Sequence, residues 1–250
     1  MTGKQLRNSI LQWAIQGKLV PQDPNDEPAS VLLERIRTEK ARLVKEKKIK
    51  RDKNESIIFR GEDNSYYEQI GSQTLDITEE IQYDIPENWR WCRLGDIATL
   101  RLGKTPPRGE SIYWKPEKYN WVAIGDMKDG AVITQTKEFI SEKGAELFQG
   151  RISPKGSLLM SFKLTIGKIS ELGIDAYHNE AIITILPFFA HLAWFKYILP
   201  MIAQCGGTKD AIKGKTLNSK SLSALLIPLP PLNEQRRIIP QIQALFDKIK

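Results

Sequence analysis

Apolar positions recur at helical spacing at both ends of the chain and at strand spacing in between. Leu6, Ile10, Trp13, Ala14 and Gly17 make one face of a first helix, which Gly17 terminates before the loop LVPQDPNDEP. Pro28 suits the first turn of a second helix running to about Arg51, where Leu32, Leu33, Ile36, Leu43 and Val44 form a narrow stripe among many charges. Such a stripe suits either a solvated surface helix or one side of a coiled coil awaiting a partner, and its narrowness favours the coiled coil. At the other end, Pro228, Pro230 and Pro231 hold the backbone extended before Ile238, Ile242, Leu245 and Ile249, which recur at helical spacing from about Leu232. Pro240 falls inside that helix and is expected to kink it or delay its start.

The centre changes period. WVAIGDM, GAVITQT, GSLLMSF, GKISEL and EAIITILPF are short apolar or alternating runs bounded by Gly, Pro, Asp or Asn, and they read as strands of a mixed sheet. Helices are expected near Leu192 to Gln204 and Ser219 to Leu225, so the fold class is α+β. Four segments follow: a helical region over 1–55, an acidic linker with some short strand over 56–84, a mixed-sheet domain over 85–231, and the start of a further helix over 232–250. The flanking helices are expected to pair as an antiparallel coiled-coil stalk.

Charge sharpens this division. The net +7 splits into 13 Lys/Arg against 8 Asp/Glu over 1–55, 1 against 7 over 56–84, 19 against 13 over 85–231, and 4 against 2 over 232–250. Two basic bodies flank an acidic stretch, which points toward a polyanionic partner. No apolar run is long enough for a membrane span and the N-terminus lacks a signal peptide's apolar centre, so a cytoplasmic protein is expected. Cys92 and Cys205 form no CxxC and suggest neither disulfide nor zinc.

Enzymatic motifs fail on inspection. GKT occurs at 103–105 and 214–216, but a phosphate-binding loop requires glycine where Ala98 and Lys209 stand. HNE at 178–180 has no PCxxC partner, so His178 reads as a strand-end histidine rather than a zinc ligand. PLPPL lacks the polar first residue and the aromatic of an adenine methyltransferase loop, and no GxG follows a strand.

Five stretches carry a resemblance: 8–50 (NSILQWAIQGKLVPQDPNDEPASVLLERIRTEKARLVKEKKIK), 84–106 (DIPENWRWCRLGDIATLRLGKTP), WVAIGDM, LLMSFKLTIGKIS and IPLPPLNEQRRI. They resemble the specificity subunit of type I restriction-modification enzymes, often called HsdS. The resemblance implies a non-catalytic reader of double-stranded DNA that recruits methyltransferase subunits and a separate restriction subunit. S-adenosylmethionine, ATP and Mg would be used by those partners, with no cofactor in this chain. Family members usually carry two recognition domains held apart by long antiparallel helices, so a single domain implies a half-subunit or a fragment.

Under that reading the residues expected at DNA are Lys104, Thr105 and Arg108 on a first loop, Lys163 and Lys168 around the SFKLTIGK turn, and Lys209, Lys213, Lys215 and Asn218 on a late loop. A seam of Leu32, Ile36, Leu43, Ile238, Ile242, Leu245 and Ile249 is expected to join helices, with head-to-tail association of two copies as one outcome. Two other readings stay open: a basic nucleic-acid adaptor without sequence preference, and a methyltransferase or nuclease in its own right.

Overall fold

A computed structural model describes residues 2–51, 55–163, 165–205 and 218–249. Helices α1 (Gly3–Ile15) and α2 (Ala29–Lys45) come first, followed by β1 (Ser56–Arg60), β2 (Tyr66–Ile70), β3 (Gln73–Asp76), β4 (Arg90–Arg93), α3 (Leu94–Ile97) and β5 (Ala98–Leu102). The middle holds β6 (Tyr119–Val122), β7 (Val132–Ile133), β8 (Glu138–Ile140), α4 (Glu142–Glu146), β9 (Leu158–Ser161), β10 (Ile169–Leu172), β11 (Tyr177–His178) and β12 (Ile182–Pro187). Helices α5 (Leu192–Cys205) and α6 (Ser219–Ser223), strand β13 (Leu226–Leu229) and helix α7 (Leu232–Asp247) complete the order. The fold is mixed α+β, in two compact units: Met1–Ala98 with Pro187–Lys209 and Leu222–Lys250, and Thr99–Leu186 with Asp210–Ser221.

In the first unit, α1 opens on a capping box in which the Gln5 amide donates to the Thr2 hydroxyl and the Thr2 amide to the Gln5 side chain. It closes at Gly17, whose φ of 67° lets Lys18 N–H reach Trp13 O at 2.9 Å. Its buried face is Ile10, Leu11, Ala14 and Ile15, whereas Leu6 and Trp13 are exposed, so the stripe is rotated from the one its spacing suggests. Helix α2 ends at Lys45, short of Arg51, because Lys47 takes a φ of 57° and Lys48 N–H turns back to Leu43 O.

The residues of the expected helix seam lie largely within the first unit. Leu32, Ile36, Ile238 and Ile242 are each at most 2% exposed within the first unit, and only Leu43, Leu245 and Ile249 are half-buried. Under α2, Leu33 and Ile36 close on Ser56, Ile58, Trp91, Cys92 and Asp96 around a void of about 10 Å³, which leaves no room for another helix. The stripe is narrow because β1, β4 and α3 cover it from below, an arrangement its spacing cannot distinguish from a partner helix. Helix α7 runs antiparallel to α1, not α2: Arg7 donates to Ile249 O at 3.1 Å and sits 5.3 Å over the Phe246 ring, while Gln22, beyond the far end of α1, reaches Glu234. These helices of 13 to 17 residues pack on their own unit.

The start of α7 is a clasp. Glu234 is buried and accepts from Trp89 Nε1 at 2.7 Å and Gln22 Nε2 at 2.5 Å, and that burial raises its carboxyl above the usual range. Gln235 accepts from His191 N–H and donates to Pro230 O, and Arg237 forms a two-point ion pair with the buried Asp26. These contacts fix the helix from Leu232, so its start is not delayed to Pro240, which stands inside it.

The acidic 56–84 segment differs from a linker. It holds the antiparallel sheet β1-β2-β3, and Arg93 gathers its charge through two bonds to Glu68 at 2.9 and 2.5 Å and one to Glu80 at 3.0 Å. Tyr66 packs with Ile58, Ile77, Trp91 and Leu226. Strand β13 pairs antiparallel with β4, which makes the proline run a strand leading into α7. Phe188 N–H bonds Ile97 O at 3.1 Å, joining the two points where the chain leaves and re-enters this unit.

The second unit contains a five-stranded sheet, β5-β12-β9-β10-β7, and a three-stranded sheet, β11-β6-β8. β9 is antiparallel to both neighbours, with Ser161 opposite Ile182 and Met160 opposite Ile169, and β10 is parallel to β7. Every residue of β9 is buried, which accounts for its unbroken apolar run.

Candidate nucleic-acid interface

Strand directions decide which loops meet. The C-terminal ends of β5 and β9 and the N-terminal ends of β12, β10 and β7 lie at one end of the five-stranded sheet, and its loops are 103–105, 162–168, 179–181 and 127–131. Backbone hydrogen bonds tie each loop to the next. Gly103 N–H reaches Ile182 O, Lys104 N–H reaches His178 O, Phe162 N–H reaches Ala181 O, and Gly130 N–H reaches Ile169 O. Side chains add latches, with Ser170 Oγ donating to Lys128 O at 2.8 Å and Ile169 N–H donating to Asp129 Oδ1 at 3.1 Å. The result is a continuous rim bearing Lys104, Thr105, Lys128, Lys163, Lys168, Asn179 and Glu180.

The rim is built on a buried polar chain. His178 is 3% exposed, and burial pushes its imidazole down to about 4, so the ring is neutral near pH 7. Nδ1 faces Asn179 O, which can only accept, so Nδ1 carries the proton and Nε2 accepts from the Thr184 hydroxyl at 2.6 Å. Thr184 in turn meets Ser153 Oγ at 2.5 Å. Gly103 lies flat on this assembly. A Cβ there would stand 2.1 Å from His178 O and 2.2 Å from Asn179 O, both backbone atoms. Glycine is therefore required for the 103–105 loop to approach 178–181.

Sequence-expected site residues divide three ways. Lys104, Thr105, Lys163 and Lys168 come together on the rim, although the Lys104 ammonium is tied to Leu147 O at 2.8 Å. Lys163 and Lys168 have no ion pair among the described residues, and neither has Lys128, which the sequence reading missed. Arg108 is not a free cation. Its guanidinium lies 4.3 Å from the Trp114 ring centroid and 4.8 Å from that of Trp121, and it pairs with Glu138. Asn218 is spent on α6, where its Oδ1 accepts from the Lys220 and Ser221 amides. Lys209, Lys213 and Lys215 lie outside the described residues.

Asn179 and Glu180 are rim residues that the sequence reading left out, because HNE drew attention only as an incomplete zinc motif. Asn179 accepts from Ala181 N–H at 2.7 Å and donates to Thr105 Oγ1 at 2.9 Å, and the Thr105 hydroxyl donates to Glu180. No group of side chains suited to a metal occurs among the described residues, and no described helix is long and apolar enough to cross a membrane. The arrangement presents amide, hydroxyl, carboxylate and ammonium groups together on loops held by a rigid sheet, which suits recognition of a charged, hydrogen-bonding surface.

The family model of the type I restriction modification DNA specificity domain matches residues 86–250. The specificity subunit of the type I restriction enzyme EcoAI from Escherichia coli is 50% identical over 98 residues, which are 39% of this chain and 14% of that protein. The EcoEI specificity subunit, also from Escherichia coli, is 46% identical over 98 residues, 39% of this chain and 13% of that one. The aligned stretch thus spans about one-seventh of either relative. Among solved structures, a chain from a study of complex assembly and conformational transition of the type I R-M system aligns with a TM-score of 0.51 at 21% identity, covering 67% of this chain and 40% of its own, a likeness of fold.

Proposed function

The chain belongs to the type I restriction modification DNA specificity domain family, and from that premise we propose that it is a sequence-specific reader of double-stranded DNA, non-catalytic by itself, that reads one half of a split target. The observation that carries this is the rim, where Lys104, Lys128, Lys163 and Lys168 stand beside Thr105, Asn179 and Glu180 at one end of one sheet. Lysines neutralise phosphates and set register, while the short polar side chains reach base edges in the major groove. The first unit, with α1 antiparallel to α7, is the platform that recruits methyltransferase and restriction subunits. S-adenosylmethionine, ATP and Mg²⁺ are used by those partners. Of the seam expected for a head-to-tail dimer, Leu32, Ile36, Ile238 and Ile242 are buried, so Leu43, Leu245 and Ile249 are the side chains it leaves for a second copy.

Binding of duplex DNA measured against salt tests the reading. With about four phosphates neutralised, the logarithm of affinity falls with the logarithm of salt at a slope of about −3.6. Salt-independent binding, or methyl transfer to DNA by the purified chain alone, would contradict it. Competition with structured RNA separates it from a general nucleic-acid adaptor.

A further inference from the structure

We propose that Glu180 reads a base: its carboxylate accepts a hydrogen bond from the exocyclic amino group of a cytosine or an adenine in the major groove, with Thr105 and Asn179 as positioning residues. The inference rests on the duplex-reading function above and names the chemistry that its rim selects.

An acid on a surface that faces phosphates is repelled unless it has a specific use. The other acids nearby have one within the protein. Asp126 accepts from Ala123 N–H at 2.9 Å, Asp129 accepts from Ile169 N–H, and Glu138 pairs with Arg108. Glu180 is exposed and forms no ion pair among the described residues, and the Lys104 ammonium goes to Leu147 O instead. Its only hydrogen bond there is from Thr105 to Oε2, which leaves Oε1 open as an acceptor.

The carboxylate is nonetheless held in place. Thr105 donates to it while accepting from Asn179, Asn179 is anchored by Ala181 N–H, and the strand beneath is pinned by Gly103 against His178. A prealigned carboxylate loses little freedom on binding, as a base-reading group requires. In the major groove only cytosine N4 and adenine N6 are donors, whereas guanine O6 and N7 and thymine O4 are acceptors that a carboxylate repels. Glu180 therefore selects partly by rejection.

The test is selection from a duplex library of random sequence, with retained DNA sequenced, for the chain and for Glu180→Gln, Thr105→Val, Thr105→Ser and Lys163→Ala. The unmodified chain is expected to select a motif with one position restricted to cytosine or adenine, and the base found there tells the two apart. Glu180→Gln, whose amide both donates and accepts, relaxes that position by about 10- to 100-fold and leaves the others intact. Thr105→Val relaxes the same position, Thr105→Ser retains it, and Lys163→Ala weakens all sequences alike. A motif unchanged at every position in Glu180→Gln, or changed only where guanine or thymine is preferred, overturns the role of Glu180 and leaves duplex reading standing. If the unmodified chain selects no motif, the functional reading falls and the role of Glu180 with it.

Discussion

Trp89 donates its indole N–H to the Glu234 carboxylate at 2.7 Å, joining residues 145 positions apart in a buried contact. Gln22 satisfies the other carboxylate oxygen, so one side chain ties the residue before β4, the segment after α1 and the first turn of α7.

Glu234→Ala leaves the buried Trp89 indole N–H unsatisfied and should destabilise the chain by about 1–3 kcal/mol, whereas Glu234→Gln retains an acceptor and should cost about 1 kcal/mol or less. Denaturant unfolding of the two variants checks the difference. Equal losses would mean that the charge, rather than the hydrogen bonds, maintains the clasp.

His178 and Asp96 should respond to acid in opposite directions. His178 is held at about 4, below its ordinary 6.5, so its contribution is complete above 6.5 and is lost as pH falls toward 4, about 3 kcal/mol in all. Burial pushes Asp96 up to about 6, against the pull of Lys40 and the Ser56 hydrogen bonds. A raised carboxyl contributes stability that is complete below its unfolded 3.8 and is lost as pH rises through 6, so acidification favours the site around Asp96, in the opposite sense to the lowered Glu68 of the same unit. Hydrogen exchange followed from pH 7 down to 4.5 should show protection falling around His178 and rising around Asp96. Flattened responses are expected in His178→Asn and Asp96→Asn respectively.

Gly103→Ala places a methyl group against two backbone carbonyls, neither of which can rotate away. A loss of about 1–3 kcal/mol is expected, together with weakened duplex binding, because the loops carrying Lys104 and Asn179 must separate. Paired melting and DNA-binding measurements would reveal a variant that keeps both properties and so contradicts the close approach.

Lysine and arginine substitutions should separate by mechanism. Lys128→Ala, Lys163→Ala and Lys168→Ala should each make the salt slope shallower by about 0.9 with little change in melting. Arg108→Ala should leave the slope nearly unchanged and lower stability by about 1–2 kcal/mol, because its guanidinium packs on Trp114 and Trp121 and pairs with Glu138. Titrations at several salt concentrations distinguish these outcomes.

The helices were legible because caps and period act locally: Pro28 and Gly17 mark ends whose hydrogen bonds close within a few residues. The faces of those helices were less so. Trp13 lies exposed and Leu11 buried, since what covers a face is set by distant chain. The acidic segment looked like a linker because Arg93, its neutralising partner, is 25 residues beyond Glu68. Lys163 and Lys168 were visible as a basic turn, yet their proximity to Thr105 and Asn179 depends on the order β5-β12-β9-β10, which no local spacing encodes. The charge of Arg108 announces itself in sequence, whereas the aromatic rings beneath it and its Glu138 partner do not.

The bond between Phe188 and Ile97 has a further consequence. To the first unit, residues 99–186 amount to one closed loop whose ends are already fastened. The entropic cost of closing a loop grows only with the logarithm of its length, so that unit is nearly indifferent to what the loop contains. Changes at Thr105, Asn179 and Glu180, or longer turns around them, are therefore expected to add little to the closure cost carried by the unit that holds the Trp89–Glu234 clasp.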